Sequence, residues 1–185
     1  MYTQAEVLQR TGGREIDGIV YDVGTLAARV GELGADITAY YPAGELLVLG
    51  VLKGSFIFLS DLVRSIMRPH QVDFVVAASY GRGTKSSGDV QLLYDPETTL
   101  AGKHILLVED IVDSGNTLNR LMKLMAVRGP ASLEICALLH KRVANHLERE
   151  PRFVGFDAPR KFLVGYGLDH AEDFRHLPFI ANLKE

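Results

Sequence analysis

Continuous apolar runs of strand length alternate along this chain with segments of helical apolar spacing, and this alternation constrains the fold more than any other feature. Strands that are apolar throughout are covered on both faces, which is typical of parallel sheets. The sequence therefore predicts an α/β domain with a mostly parallel, twisted sheet flanked by helices, and ligands bound beyond the carboxyl ends of its strands. The predicted strands cover residues 45–52, 72–79, 104–108 and 133–139, with 161–165 as a fifth candidate.

Helices are expected between these strands and before the first of them. Thr3 and Glu6 have the spacing of a capping box, which predicts a short helix at the N-terminus. A second helix is expected over residues 23–33 and is ended by Gly34, because glycine commonly terminates helices. The other predicted helices are one over 115–127 and one capped by Ser55, with its apolar residues at Phe56, Leu59, Leu62, Val63, Ile66 and Met67.

Composition and charge exclude several classes of site and partner. The 185 residues, 47% of them hydrophobic, suffice for one domain with a buried core. The net charge of −3 predicts neither a nucleic-acid nor a membrane partner. Cys136 is the only cysteine, which excludes an internal disulfide framework, and it is expected to be a small buried hydrophobic residue. None of the six histidines has metal-ligand spacing, and the absence of a signal-peptide pattern predicts a cytoplasmic protein.

The segment HILLVEDIVDSGNTL, residues 104–118, is the most informative for function. An apolar strand is predicted to end in the carboxylates Glu109 and Asp110, and a glycine-bearing turn then leads into a helix, where Asn116 can act as the cap. Backbone N–H groups at the positive end of a helix dipole form a site for a phosphate. In the simpler interpretation Asp113 or Ser114 only caps the helix and the acids are solvated. The acid pair favours a functional site, since a ribose diol and Mg²⁺ could separate two carboxylates from a phosphate.

The motif VEDIVDSGNTL resembles the binding signature for phosphoribosyl pyrophosphate (PRPP) of type I phosphoribosyltransferases. The segments LKGSFIF, SYGRGTKSSGDV, LLHKR and KFLVGYGLDHAEDFR follow in the order of the hypoxanthine-guanine phosphoribosyltransferases. This resemblance implies one domain over 1–185, with a core over about 40–145 and a small hood from about 150–185 and the N-terminal segment. It also implies purine salvage, in which the 5-phosphoribosyl group moves from PRPP to N9 of hypoxanthine or guanine, with Mg²⁺ and release of pyrophosphate.

The resemblance assigns the ribose and phosphate contacts to the most informative segment. Glu109 and Asp110 are implied to bind the ribose hydroxyls and the metal. Asp113 is implied to be the general base that takes the proton from purine N7, a task for which a positioned carboxylate is suited. The 5′-phosphate is implied to be bound by Asp113, Ser114, Gly115, Asn116 and Thr117.

Pyrophosphate contacts are implied for Lys53 and Gly54, where the peptide bond before the glycine can be cis, and for Arg175.

Ser79 and Tyr80 are expected at the base of a lid that closes over PRPP and excludes water. Without the neighbouring motifs, the lysine–glycine pair would indicate only a strand-to-helix turn, and the segment 80–89 only a loop.

The resemblance also implies a set of purine contacts. Lys141 donates to the purine O6, which selects a 6-oxo group, and Phe162 stacks on the ring. Leu163 offers backbone contacts to the base edge, and Asp169 either binds a second Mg²⁺ or lies near the 2-position. From residue type alone, Phe162 would be a core residue and Arg175 a surface ion-pair partner.

Three alternatives remain open at this stage. An RNA-binding regulator on the same fold would need a basic face, which the pI of about 6.1 does not favour. A dinucleotide-binding dehydrogenase would need a G-x-G-x-x-G motif after a strand, which the sequence lacks. A xanthine- or guanine-preferring relative differs only in the surroundings of the 2-position. The resemblance further implies a homodimer or homotetramer.

Overall fold

The computed structural model describes residues 2–79, 90–142 and 147–184 of the chain. Tyr80, the rest of the predicted lid and residues 143–146 lie outside this described part. In chain order the elements are α1 (Gln4–Arg10), β1 (Ile16–Tyr21), α2 (Val23–Tyr40), β2 (Leu46–Leu52), α3 (Phe56–Ser65), β3 (Gln71–Ser79), β4 (Val90–Tyr94), β5 (His104–Val112), α4 (Asn116–Ala126), β6 (Ser132–His140), β7 (Phe153–Asp157), β8 (Leu163–Val164) and β9 (Ile180–Leu183).

Six strands form the main sheet in the order β4-β3-β2-β5-β6-β7. Among the described strands of this sheet, every neighbouring pair is parallel except β3 and β4, so its one antiparallel strand, β4, lies at an edge. Strands β2, β5 and β6 are the long apolar runs, and they occupy the centre, where both faces are covered. The predicted α/β fold with a mostly parallel sheet is confirmed.

The two faces of the sheet belong to two different hydrophobic clusters. Leu47 and Leu49 of β2 lie in the cluster that includes Leu121 and Met125 of α4. Val48, between those two leucines, lies in the other cluster, which includes the buried residues of α2 and α3. Alternating side chains of one strand thus pack against opposite helical layers, as the pleat requires. Cys136 is fully buried in this core, as expected.

The first helix begins with the predicted capping box, since Glu6 N donates to Thr3 Oγ1 and the Glu6 carboxylate accepts from Thr3 N. The prediction that Gly34 ends the second helix is wrong, because α2 continues to Tyr40. A Cβ at Gly34 would lie 2.5 Å from Ser65 Cβ, so this glycine permits close packing of α2 against α3. It is a packing residue and not a helix stop.

The third helix differs from its prediction at both ends. Ser55 is at the N-cap position but makes no capping hydrogen bond, because its hydroxyl donates to Val51 O at 2.6 Å. The helix stops at Ser65, since Ile66 already has extended backbone angles. Met67 therefore lies outside α3, where it is 82% exposed.

A second, smaller sheet has the strand order β1-β9-β8 and is antiparallel. Strand β8 has only two residues, so the strand expected over 161–165 is much shorter than predicted and belongs to this sheet. One face of the small sheet packs on a separate cluster that contains Phe174, Leu177 and Phe179. The sheet therefore connects residues near the N-terminus with the C-terminal segment.

Within the described residues, no helix combines the length and the apolar character needed to cross a membrane.

Candidate active site

A cavity of about 240 Å³ opens at the carboxyl ends of β2 and β5. These strands are parallel neighbours, with Leu46 opposite His104 and Gly50 opposite Val108, so their carboxyl ends meet at one edge of the sheet. The cavity is lined by Val51, Leu52, Ala77, Glu109, Asp110, Ile111, Val112, Asp113, Ser114, Gly115, Thr117 and Leu118. The most informative segment of the sequence thus forms most of its wall.

Glu109 and Asp110 lie within a strand and not after its end, because β5 continues to Val112. The expectation that the strand ends at Val108 is therefore wrong. Burial, followed by the adjacent Asp110 carboxylate, raises the pKa of Glu109 well above its usual value. Burial also raises the pKa of Asp110 to about 6, although backbone hydrogen bonds and Arg175 oppose this shift. Neither carboxylate forms a direct ion pair with any residue that the structure describes, and the charge of Arg175 only partly offsets the shift of Asp110.

The turn after β5 ends at Gly115, which is the N-cap of α4 and has a φ of 81°. Two predictions about the cap are therefore wrong. Asn116 is the first helical residue and not the cap, and neither Asp113 nor Ser114 occupies the N-cap position. No side chain makes a capping hydrogen bond there, so the N–H groups of the first turn are not satisfied by a cap. The left-handed angle favours glycine at this position, and a Cβ there would also lie 2.8 Å from Leu147 Cδ2.

Lys141 does not line the cavity, but it contacts Asp113, which does. Strands β5 and β6 are parallel with Val112 opposite His140, so the residues that follow them are neighbours. Lys141 N donates to Val112 O at 2.9 Å, and Lys141 Nζ donates to Asp113 Oδ2 at 3.1 Å. The structure thus brings together the residues predicted to recognise purine O6 and to accept the N7 proton.

The loop after β2 contains Lys53 and Gly54 and contacts the acid pair directly. A Cβ at Gly54 would overlap the Asp110 carboxylate, so a larger residue there would displace this carboxylate. The cis peptide bond is Leu52–Lys53 and not the bond before the glycine, one residue earlier than expected.

The segment from Gly165 to Gly167 packs on the loop after β2. Its three residues all have positive φ, of 96°, 53° and 103°, although the middle one is Tyr166. A Cβ at Gly167 would overlap the carbonyl oxygen of Gly54. Tyr166 is buried, and its hydroxyl donates to Asp61 Oδ2 on α3 at 2.6 Å.

Asp169 and Arg175 follow this segment and contact each other. Arg175 Nη2 lies 2.8 Å from Asp169 Oδ1, and Arg175 Nη1 donates to Gly167 O at 2.8 Å. The guanidinium is therefore held beside the loop that bears Lys53. Neither Asp169 nor Arg175 lines the cavity itself.

The predicted purine contacts Phe162 and Leu163 do not line the cavity either. Phe162 is 46% exposed and meets the ring of His170 edge-on, with 5.4 Å between centroids. Leu163 is buried in the core, and its neighbour Phe162 accepts a backbone hydrogen bond from Leu183 N. Ser79 ends β3, whereas Tyr80 lies outside the described residues.

Sequence reasoning missed the apolar wall of the cavity, which includes Val51 and Ala77 on strands other than β5. It also missed the contact between Tyr166 and Asp61. A tyrosine between two glycines was the available signal for the latter, since bulky residues rarely occupy a turn that needs successive positive φ values. For the wall no signal existed, because apolar residues at strand ends look like core.

The family model for the phosphoribosyl transferase domain matches residues 18–171. The chain belongs to the phosphoribosyltransferase family. Among its curated relatives, the hypoxanthine phosphoribosyltransferase of Salmonella typhimurium is 44% identical over 160 residues, which are 85% of this chain and 90% of that protein. The hypoxanthine-guanine phosphoribosyltransferase of Dictyostelium discoideum is 45% identical over 171 residues, which are 90% of this chain and 95% of that protein.

Solved phosphoribosyltransferases have the same fold over nearly the whole chain. The hypoxanthine phosphoribosyltransferase of Staphylococcus aureus gives a TM-score of 0.91 at 35% identity and covers 98% of this chain and 97% of its own. The hypoxanthine-guanine phosphoribosyltransferase of Bacillus anthracis gives a TM-score of 0.88 at 40% identity, with 92% and 100% covered. The resemblance inferred from the motifs is confirmed, and the dehydrogenase hypothesis is dropped.

Proposed function

We propose that this phosphoribosyltransferase joins hypoxanthine, and also guanine, through N9 to the ribose 5-phosphate of PRPP and releases pyrophosphate. The observation on which this depends is the cavity at the carboxyl ends of β2 and β5. Its wall contains the acid pair, the uncapped N-terminus of α4 and Asp113, which contacts Lys141. The names of the relatives support the choice of base.

The 5′-phosphate is assigned to the turn from Asp113 to Thr117, where N–H groups at the start of α4 lack a capping side chain. A phosphate dianion satisfies such donors and also interacts favourably with the helix dipole. The ribose hydroxyls are assigned to Glu109 and Asp110, because hydroxyl donors would stabilise two partly buried carboxylates that have no ion-pair partner among the described residues.

The purine is assigned to the side of the cavity at which Lys141 lies. Its ammonium donates to O6 of a 6-oxopurine, whereas the amino group of adenine is itself a donor and would oppose it. Asp113 accepts the proton from N7 as the bond to N9 forms, and its contact with Lys141 keeps the two groups adjacent. Phe162 stacks on the base with its exposed ring, and Leu163 offers backbone contacts to the base edge.

Pyrophosphate is assigned to Lys53, Gly54 and Arg175. Gly54 contacts Asp110, so this loop lies beside the acid pair. This arrangement supports our proposal that the anomeric carbon of PRPP lies between the loop and the acid pair. Two cations stabilise the negative charge that develops on the leaving group. Ser79 and Tyr80 are proposed as the base of the lid that excludes water from the reaction.

The residues fit a Mg²⁺ ion that is completed by substrate oxygens. The described residues include no group of three acidic, histidine or cysteine side chains arranged to hold a metal. Mg²⁺ is usually bound by one or two carboxylates together with substrate phosphates, and Glu109 and Asp110 offer such a pair. These two residues and Asp169 would hold the ions, which supply charge stabilisation for the departing pyrophosphate.

We further propose that the small sheet β1-β9-β8 forms a hood over the purine site and that the protein is a homodimer or homotetramer. Apolar side chains that are exposed beside α3 and along β3 support self-association. They are Phe56, Met67, Val72, Phe74 and Tyr94. A cytoplasmic location stays a prediction.

The choice of base is tested by measuring Mg²⁺-dependent release of pyrophosphate from PRPP with hypoxanthine, guanine, xanthine and adenine offered separately. We expect turnover with hypoxanthine and guanine and none with adenine. Preference for xanthine would replace the proposed substrate by that of a xanthine-preferring relative. Binding of PRPP without turnover on any base would favour a regulator on the same fold.

A further inference from the structure

Glu172 contacts both of the cations that are assigned to pyrophosphate. Lys53 Nζ donates to Glu172 Oε2 at 3.0 Å, and Arg175 Nη2 lies 3.5 Å from the same oxygen. The hydrogen bond from Lys53, followed by the charge of this lysine, lowers the pKa of Glu172 below its usual value. One carboxylate oxygen thus bridges two side chains from segments that are far apart in the sequence.

The backbone places Glu172 there by an unusual conformation. Ala171 and Glu172 both have positive φ, of 52° and 66°, which is uncommon for residues other than glycine. Glu172 N donates to Asp169 Oδ2 at 3.0 Å, which closes the turn. Such angles persist only where the surroundings determine them, so the position of this carboxylate is specified by the fold.

The local charges are balanced without any ligand. Lys53 and Arg175 contribute two positive charges, while Glu172 and Asp169 contribute two negative charges in direct contact with them. A pyrophosphate anion that approaches these cations meets Glu172 as a like charge, and the two compete for the same donors. The side chain of Glu172 is 66% exposed, so it can turn into solvent without disturbing the core.

We propose that Glu172 substitutes for pyrophosphate on Lys53 and Arg175 in the ligand-free protein, and that it returns to them when pyrophosphate leaves. This inference depends on the proposed function. Glu172 weakens the binding of pyrophosphate and accelerates its release, because it provides the cations with a replacement partner. The effect is modest, since exposed ion pairs contribute little, and we expect about a fivefold change in affinity.

The test compares Glu172→Gln with Glu45→Gln as a matched control. Glu45 is also exposed and paired with a lysine, Lys103, but it precedes β2 and so lies at the opposite end of the sheet from Lys53. Calorimetric titration with Mg²⁺-pyrophosphate should show about fivefold tighter binding to Glu172→Gln and no change for Glu45→Gln. Stopped-flow displacement should show slower dissociation from Glu172→Gln.

Two results would overturn the inference and leave the proposed function intact. Unchanged affinity of Glu172→Gln would mean that the carboxylate does not compete, and weaker binding would mean that it positions Arg175 for the ligand. Failure of the wild-type protein to bind pyrophosphate would instead overturn the assignment of Lys53 and Arg175, and the inference with it.

Discussion

Lys141 Nζ lies 3.1 Å from Asp113 Oδ2, although the two residues follow different strands of the main sheet. The side chain of Lys141 is only 20% exposed, whereas that of Asp113 is 64% exposed, so the carboxylate is the freer of the two to move. In the proposed binding mode, a base with its O6 on Lys141 would have N7 near Asp113. We therefore propose that the pair links recognition of the base to removal of its proton.

Asp113→Asn should lower turnover by about 10²–10⁴-fold, because a neutral amide cannot accept the N7 proton. PRPP affinity should change little, since the phosphate donors of the turn are retained. Steady-state kinetics with a direct binding measurement for PRPP check this. A loss of PRPP affinity as large as the loss of turnover would contradict the role as base.

Lys141→Gln should weaken discrimination between hypoxanthine and adenine by about 10-fold or more, because the amide can both donate to an oxo group and accept from an amine. The ratio of kcat/KM for the two bases is the measurement. Lys161→Gln, at an exposed lysine paired with Asp17, is the control. An unchanged ratio in Lys141→Gln would remove this lysine from base recognition.

Asp110→Asn should raise the thermal midpoint of the ligand-free protein at pH 8. Burial raises the pKa of Asp110 to about 6, so the folded protein binds this proton more tightly than the unfolded chain. The ionised carboxylate therefore lowers the free energy of unfolding above pH 6, and this effect disappears as the pH falls towards 4. The gain in midpoint should shrink over the same interval.

The control for this change is Asp17→Asn. The hydrogen bond from Lys161 lowers the pKa of Asp17, so its ionised form is favoured in the folded protein. No gain in midpoint is expected for that variant. A lower midpoint of Asp110→Asn at pH 8 would show that the carboxylate stabilises the fold, contrary to our account.

Tyr166→Phe should reduce stability by about 1–2 kcal/mol and raise the KM for PRPP. The change removes the hydroxyl that donates to Asp61 on α3. This hydrogen bond attaches the segment from Gly165 to Gly167, which packs on Gly54, to α3. Tyr40→Phe is a matched control, because the hydroxyl of Tyr40 donates to Glu134 away from the cavity. Equal effects of the two variants on KM would show that Tyr166 has only a structural role.

The central strands were predictable because β2, β5 and β6 each contain a run of buried, mostly apolar residues. Strands β1, β4, β7 and β9 were not predicted, since they are short and only partly apolar. The length of β5 was underestimated because Glu109 and Asp110 interrupt the apolar pattern. Those residues stay in the strand because they face a cavity and not the core.

The site was predictable where chemistry depends on consecutive residues, as in the turn from Asp113 to Thr117. Contacts between distant segments were not, because they depend on packing that spacing does not encode. The Gly54–Asp110 and Gly167–Gly54 contacts are examples, since each glycine resembles an ordinary turn residue in the sequence. Gly34 shows the opposite kind of error. It was predicted to end the helix, but it lies within α2.

The most direct test of the account is to incubate the protein with PRPP, hypoxanthine and Mg²⁺ and to quantify both products by chromatography. We predict inosine 5′-monophosphate and pyrophosphate in equal amounts, with neither formed when EDTA removes the metal. Pyrophosphate without nucleotide, or no product despite bound PRPP, would contradict the proposed transfer to a purine base.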